Sequence, residues 1–293
     1  MQKYLVANTS DFHTEKSAEV AIDYISSNFP KLNQFALLGD RSIDPDFSKT
    51  KGVNLLREVK LRAKEQGEDY IEAENKFWEN GYRDVLVEQW LGILKPTQRM
   101  HEYIEQKVRI NAIPQVYDLG GNDFDKEERV KKAYAVSDRK GKTLLDILNN
   151  SPAFENHTGV RLNCIGSTLE VNIPYIESQT ETMLATHCTA IKCAIEKYPT
   201  GLKQIVFRSH SNSDPKLRKE KNNEWYLPVF ESALGTDAKV FHIFGHCHKL
   251  PEPYEYKGVT LVPVGYGEKE QKQRVFVMDY YDPGKNIIKD LDL

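Results

Sequence analysis

The sequence predicts an α/β fold. Short apolar runs of strand length recur along the chain, and longer segments with apolar residues three or four apart lie between them. The strand-like runs repeatedly end in Asp, His or Asn. Alternation of this kind builds open sheets covered by helices. Open α/β sheets hold their ligands beyond the carboxyl ends of the strands.

The elements follow in order. Tyr4-Leu5-Val6-Ala7 reads as a buried strand that runs into Asp11-Phe12-His13. Side chains alternate along a strand, so Asp11 and His13 project to one side. Ala18 to Ile25 fits a helix closed by Ser26, Ser27, Asn28 and Pro30. Phe35-Ala36-Leu37-Leu38 is a second strand and delivers Gly39-Asp40. The interval to the next motif is longer than one crossover needs. Leu55 to Ala73 predicts a highly charged helix. Tyr82, Leu86, Trp90 and Leu94 recur every four residues, as do Met100, Ile104 and Val108. Lys95-Pro96-Thr97 is expected to break that run, with Pro96 near the start of a new helix.

Ile113 to Tyr117 is the next strand and leads to Gly121-Asn122. Asp125 to Tyr134 and Thr143 to Leu148 look helical. Val160 to Ile165 and Leu169 to Ile173 alternate as a hairpin across Gly166-Ser167-Thr168. Thr182 to Lys197 predicts a helix leading to Ile205-Val206-Phe207, which precedes His210. Val240 to Phe244 precedes Gly245-His246-Cys247-His248. Val259 to Val264, Val275 to Tyr281 and Ile287-Ile288 close the chain as strands, with Asp282-Pro283-Gly284-Lys285 as a turn. The expected organisation is one domain over 1–293, with a predominantly helical insertion over about 44–110. The insertion leaves the sheet beside Asp40. A cap over the strand ends, a dimerisation arm and an added helical layer all fit it. Trp78, Tyr82 and Trp90 could stack on a base or ring, although their helical spacing is also that of a core.

Composition supports an ordinary soluble enzyme. A chain of 293 residues suffices for one large domain or two small ones. A net charge of −3 offers no global attraction to nucleic acid. The 4 cysteines show no Cys-x-x-Cys spacing, so free thiols in a reducing cytoplasm are expected. No signal peptide and no membrane-length apolar run is evident.

The ligand-type residues suggest a chemistry. Asp11, His13, Asp40, Asn122, His210, His246 and His248 interleave hard oxygens with imidazoles. That donor set suits Mn, Fe, Zn or Ni, with Mn favoured here. Two cations roughly 3.5–4 Å apart need a bridging carboxylate, for which Asp40 is the natural candidate. His242 reads as a core histidine or one that orients a ligand. His101, His157 and His187 read as structural or exposed, and Cys247 as a small buried filler.

Asp-x-His, Gly-Asp, Gly-Asn, a lone His and Gly-His-x-His, in this order, resemble the calcineurin-like metallophosphoesterase superfamily. The resemblance covers nearly the whole chain. It implies a four-layer sandwich of two mixed β-sheets flanked by helices. It also implies that Asp11, His13, Asp40 and His248 hold one metal, and that Asp40, Asn122, His210 and His246 hold the other. The implied activity is hydrolysis of phosphate esters by a hydroxide bridging the two metals.

Two departures qualify the likeness. The third motif usually reads Gly-Asn-His-Glu or Gly-Asn-His-Asp, whereas here Asp123 follows Asn122. The usual His assists the leaving group, and an ionised Asp is a poor proton donor. Asp123 is thus a catalytic candidate of a different kind, and phosphodiesters or activated monoesters become the expected substrates. The second motif is often Gly-Asp-x-x-Asp, and here Asp44 falls one position late. Arg41, next to Asp40, is a candidate for binding the substrate phosphate, or for pairing with Asp44 or Asp46. Lys216, Arg218, Lys219 and Lys221 follow His210 and could attract a nucleic-acid strand, which makes a nuclease one alternative. A non-catalytic module that binds a partner through the insertion is the other. Substrate identity and oligomeric state are left open.

Overall fold

The protein is described by a computed structural model covering residues 3–44, 51–79, 83–109, 115–118, 121–149, 160–173, 181–197, 201–210, 230–231, 233–246 and 248–293. In chain order these residues form β1 (Leu5–Thr9), α1 (Glu15–Asn28), β2 (Gln34–Leu38), α2 (Lys51–Gln66), α3 (Tyr70–Glu79), α4 (Arg83–Gly92), α5 (Leu94–Arg109) and β3 (Gln115–Asp118). They continue with α6 (Gly121–Ser137), α7 (Leu144–Asn149), β4 (Arg161–Ile165), β5 (Thr168–Asn172), α8 (Glu181–Lys197), β6 (Gln204–Ser209) and β7 (Lys239–Phe244). The end of the chain adds β8 (Tyr254–Tyr256), β9 (Val259–Pro263), β10 (Gly265–Gly267), β11 (Lys272–Asp279) and β12 (Ile287–Asp292).

The strands make two 6-stranded sheets. In the first, β1 lies between parallel β2 and antiparallel β11, β3 extends it beyond β2, and β10 and β12 pair with β11. The second runs β4-β5-β6-β7-β9-β8, with β5, β6, β7 and β9 parallel. Strand alternation decides what lies on each face. Val6, Ala36, Leu38, Phe276 and Met278 of the first sheet meet Val206, Phe241, Ile243 and Val262 of the second in a shared core. The intervening residues Ala7, Phe35, Leu37, Val275 and Val277 turn outward, onto Ala18, Ala21, Ile22 and Ile25 of α1 and Met100 and Ile104 of α5. On the far side Leu169, Val171, Ile205, Phe207 and Val240 pack with Ile191 of α8. Two mixed sheets flanked by helices are therefore the architecture.

α1 starts where it does because Thr14 caps it. The Thr14 hydroxyl accepts from Ser17 N–H at 3.0 Å, and Ser17 Oγ accepts in return from Thr14 N–H at 3.3 Å. The cap thus follows His13 directly, and the helix begins at Glu15 and pulls the chain away from β1.

Several boundaries differ from the pattern-based expectation. The predicted helix from Leu55 to Ala73 is two helices, α2 and α3, parted at Gly67, whose φ is +70°. The break expected at Pro96 falls earlier, between Gly92 and Leu94. Pro96 sits in the first turn of α5, where its missing N–H costs nothing. The three-residue strands β8 and β10 had no pattern long enough to announce them. Within the region of the insertion, α4 packs on α6 and α5 on α1. Trp90 is buried in an apolar cluster with Phe77, Leu86, Val130 and Leu144. Tyr82 and the side chain of Trp78 lie outside the described residues. Among the described residues no helix is long and apolar enough to cross a membrane.

Candidate metal centre

The site forms where strands of both sheets end. β1 ends at Thr9 and is followed by Ser10, Asp11 and His13; β2 is followed by Gly39 and Asp40. From the other sheet, β6 leads into His210 and β7 into Gly245, His246 and His248. Within each sheet these strand ends point the same way, because β1 is parallel to β2 and β6 to β7. Facing sheets bring the two sets together.

The side chains converge into two groups. Ligand atoms of Asp11, His13, Asp40 and His248 lie within 4.8 Å of one another, and so do those of Asp40, His210 and His246. Asp40 belongs to both. Nε2 of His13 is 2.8 Å from Nε2 of His248. Nδ1 of His246 is 3.2 Å from Nε2 of His210. Asp40 Oδ2 lies 3.4 Å from His210 Nε2. Asp11 and Asp40 are fully buried.

The backbone is bent to achieve this. Asp11, Asp40, His246 and His248 all have positive φ, at 57°, 46°, 67° and 46°. Left-handed non-glycine residues are uncommon and cluster at functional sites. Asp11 is also a hinge between motifs, since its two oxygens accept from His246 N–H at 3.2 and 3.1 Å. A Cβ on Gly245 would stand 2.0 Å from Ser10 Oγ and 2.5 Å from Asp11 Oδ2, so glycine is required for this approach.

Electrostatics match an excess of donors over positive charge. Burial alone would raise the pKa of Asp40, but His210, His13 and Lys126 outweigh it and hold the carboxyl well below the usual range. Burial would depress His210, and Asp40 reverses that and raises it. His248 is raised in the same way, chiefly by Asp11. Carboxylates and imidazoles packed this closely call for a cation, and without one they draw protons. His210 Nδ1 faces the Leu38 carbonyl at 2.7 Å, so that nitrogen carries the hydrogen and Nε2 is left as the donor atom.

The remaining predicted residues fall elsewhere. Asn122 is in the first turn of α6, and its side chain lies outside the described residues, as do Cys247, His157, Asp46 and the Lys216–Lys221 loop. Asp123 is buried and engaged with the backbone: its oxygens accept from Arg41 N–H at 3.0 and 3.1 Å, Ser42 N–H at 3.0 Å and Ser42 Oγ at 2.6 Å. The carboxylate that replaces the family's usual His is therefore engaged by the turn after Asp40. Arg41, a candidate for the substrate phosphate or for pairing with Asp44 or Asp46, is 0% exposed, and its backbone carbonyl lies 3.4 Å from Nε2 of buried His101. His242 is buried and lies 2.8 Å from Ser209 Oγ, beside His210. Asp44, read from sequence as an irregular motif position and a possible partner of Arg41, lies with Oδ2 2.8 Å from His13 Nδ1. Burial works to raise its pKa, but His13 and Lys126 hold it down at about 2. Nothing in sequence spacing announced Lys126, which reaches Asp44 from α6.

A dimetal phosphatase from Danio rerio superimposes over 99% of this chain and 96% of its own, with a TM-score of 0.52 at 9% sequence identity. The chain shares the fold of that protein. A conserved Streptococcus pneumoniae TIGR4 protein described as a predicted phosphoesterase aligns over 99% of both chains, at 11% identity and a TM-score of 0.29. No protein-family model matches the sequence. No curated protein matches it significantly. On this shared fold, the two donor groups sit at the strand ends where open sheets place their ligands.

Proposed function

We propose that the chain is a phosphoric-ester hydrolase that depends on two divalent cations. One observation carries the proposal: Asp40 is shared by two buried donor groups that together contain Asp11, His13, His210, His246 and His248. Asp11, His13, Asp40 and His248 would hold one cation. Asp40, His210 and His246 would hold the other, with Asn122 as a further oxygen donor. When bound, such a pair polarises phosphoryl oxygens and lowers the pKa of water. Mn²⁺ is the favoured ion among those the donor set suits.

The protein's own groups prepare the site. Leu38 carbonyl and Asp44 hold the rings of His210 and His13 by their Nδ1 edges. Asp11 keeps the His246 loop against β1. Gly245 permits that closeness. Burial excludes water from Asp40, which strengthens every charge interaction there.

The substrate preference follows from Asp123. The Asp123 carboxylate turns to the N–H groups of Arg41 and Ser42 and to the Ser42 hydroxyl, so it is engaged by the turn after Asp40 and is not directed at a leaving group. Esters whose leaving groups need little protonation are therefore the better substrates, which supports phosphodiesters and activated monoesters. Hydrolysis of bis-p-nitrophenyl phosphate and of p-nitrophenyl phosphate with Mn²⁺, with metal content measured on the same sample, tests this. Two bound ions and a diester preference are expected. Metal-bound protein with a monoester preference would overturn the diesterase assignment. A protein that neither binds metal nor hydrolyses either ester would overturn the enzyme itself and favour the binding module.

A further inference from the structure

Asp44 holds His13 at two points. Its backbone N–H donates to the His13 carbonyl oxygen at 2.8 Å. Its Oδ2 lies 2.8 Å from His13 Nδ1, a close charge contact that is not aligned as a hydrogen bond. The other oxygen, Oδ1, lies 2.6 Å from Lys126 Nζ. Lys126 is buried and also donates to the Ser42 carbonyl oxygen at 2.9 Å. Three residues earlier on α6, Asp123 receives the N–H groups of Arg41 and Ser42. The first turns of α6 thus grip the chain between Asp40 and Asp44 at its N–H groups through Asp123 and at a carbonyl through Lys126.

We propose that Asp44 is a positioning residue for His13, and that Asp123 acts one step further out by clamping the turn that carries Asp44. The proposal rests on the metal-site reading of Asp11, His13, Asp40 and His248. A carboxylate against Nδ1 places the ring hydrogen there, leaves the Nε2 lone pair free to donate, and stops the ring from rotating. His13 Nε2 is the atom that meets His248 Nε2 at 2.8 Å, so the ring edge Asp44 does not touch is the one facing the group. The two departures from the expected motif pattern are then one device. Displacement of the second-motif Asp by one residue brings it to His13, and Asp123 in place of a third-motif His holds the longer turn.

The test is Mn²⁺ titration of the metal-stripped full chain by calorimetry, for wild type, Asp44→Ala and Asp44→Asn. The Asp44 side chain keeps 43% of its surface in water, so truncation leaves no sealed cavity. Asp44→Ala is expected to melt within a few degrees of wild type and still bind two Mn²⁺, with one site weakened about 10- to 100-fold and the other nearly unchanged. Asp44→Asn keeps an oxygen beside Nδ1 without the charge and is expected to recover part of that loss. A purely structural role would lower the melting temperature and weaken both sites alike, and that result overturns the proposal. Two sites of wild-type affinity in Asp44→Ala also overturn it, while leaving the metal reading intact. Wild type that takes up no Mn²⁺ overturns both. Should Asp44→Ala not fold, Asp44→Ser is read by the same criteria.

Discussion

His210 donates through Nδ1 to the Leu38 carbonyl oxygen at 2.7 Å, tying the end of β6 in one sheet to the end of β2 in the other. The bond leaves Nε2 to approach Asp40 Oδ2 at 3.4 Å. His210 serves one donor group, whereas Asp40 serves both.

Loss of each residue therefore has a different stoichiometry. His210→Ala is expected to retain one Mn²⁺ per chain, and Asp40→Ala to retain neither. Elemental analysis after dialysis reads this directly. Activity of both variants should fall by more than the roughly 10- to 100-fold typical of residues that only support ligands. Equal metal content in the two variants would contradict a bridging Asp40.

Gly39 is held between conformation and contact. Its φ is +85°, and a Cβ there would come within 2.6 Å of the His210 ring. Gly39→Ala is expected to cost about 2–4 kcal/mol, combining the left-handed penalty with forced movement of the ring. Gly67 provides the comparison: φ is +70° with nothing within 4 Å of the added Cβ. Gly67→Ala should cost only the backbone part, about 1–2 kcal/mol. Urea unfolding of both variants distinguishes the two contributions.

A buried ionic cluster lies between the sheets. Arg208 donates to Glu170 Oε1 and to Asn8 Oδ1, each at 2.5 Å, and to Tyr280 Oη, which itself donates to Glu170. Arg208 and Glu170 are each 1% exposed. Removing one charge strands the other, so Glu170→Gln is expected to cost about 3–5 kcal/mol. A urea-unfolding loss below 1 kcal/mol would show that the cluster tolerates an unpaired guanidinium.

Two buried histidines set the response to acid. Burial pushes both His101 and His242 down to about 3, with Arg41 adding to the effect on His101. Both are then neutral in the folded protein near neutral pH, while in the unfolded chain they protonate near 6.5. As pH falls below 6.5 the unfolded state binds more protons, so stability declines until the folded pKa is reached near 3. Each contributes a slope approaching 1.4 kcal/mol per pH unit in that window. His242→Asn is expected to flatten the dependence of urea-unfolding free energy on pH between 6 and 4. An unchanged slope would mean that His242 is not neutral in the fold.

The helices and longer strands were legible because they rest on local periodicity. α1, β2, β6 and β7 follow from apolar spacing within a few residues of one another, and Thr14 gives α1 its start. Boundaries were less legible where one residue decides them, as at Gly67, or where a strand has only three residues, as in β8 and β10.

By itself the sequence determined which residue types stand at the strand ends, in what order, and on which side of the chain Asp11 and His13 project. It could not determine what those residues touch. Asp123 and Asp44 differ from the motif pattern by one substitution and one displacement, and only packing of α6 on the turn after Asp40 decides that the first grips backbone and the second grips His13. Asp11 meets His246, and Arg208 meets Asn8, across most of the chain's length. Such contacts depend on sheet register, sheet-on-sheet packing and rotamer choice. Those are properties of the whole fold, whereas periodicity is a property of a short segment.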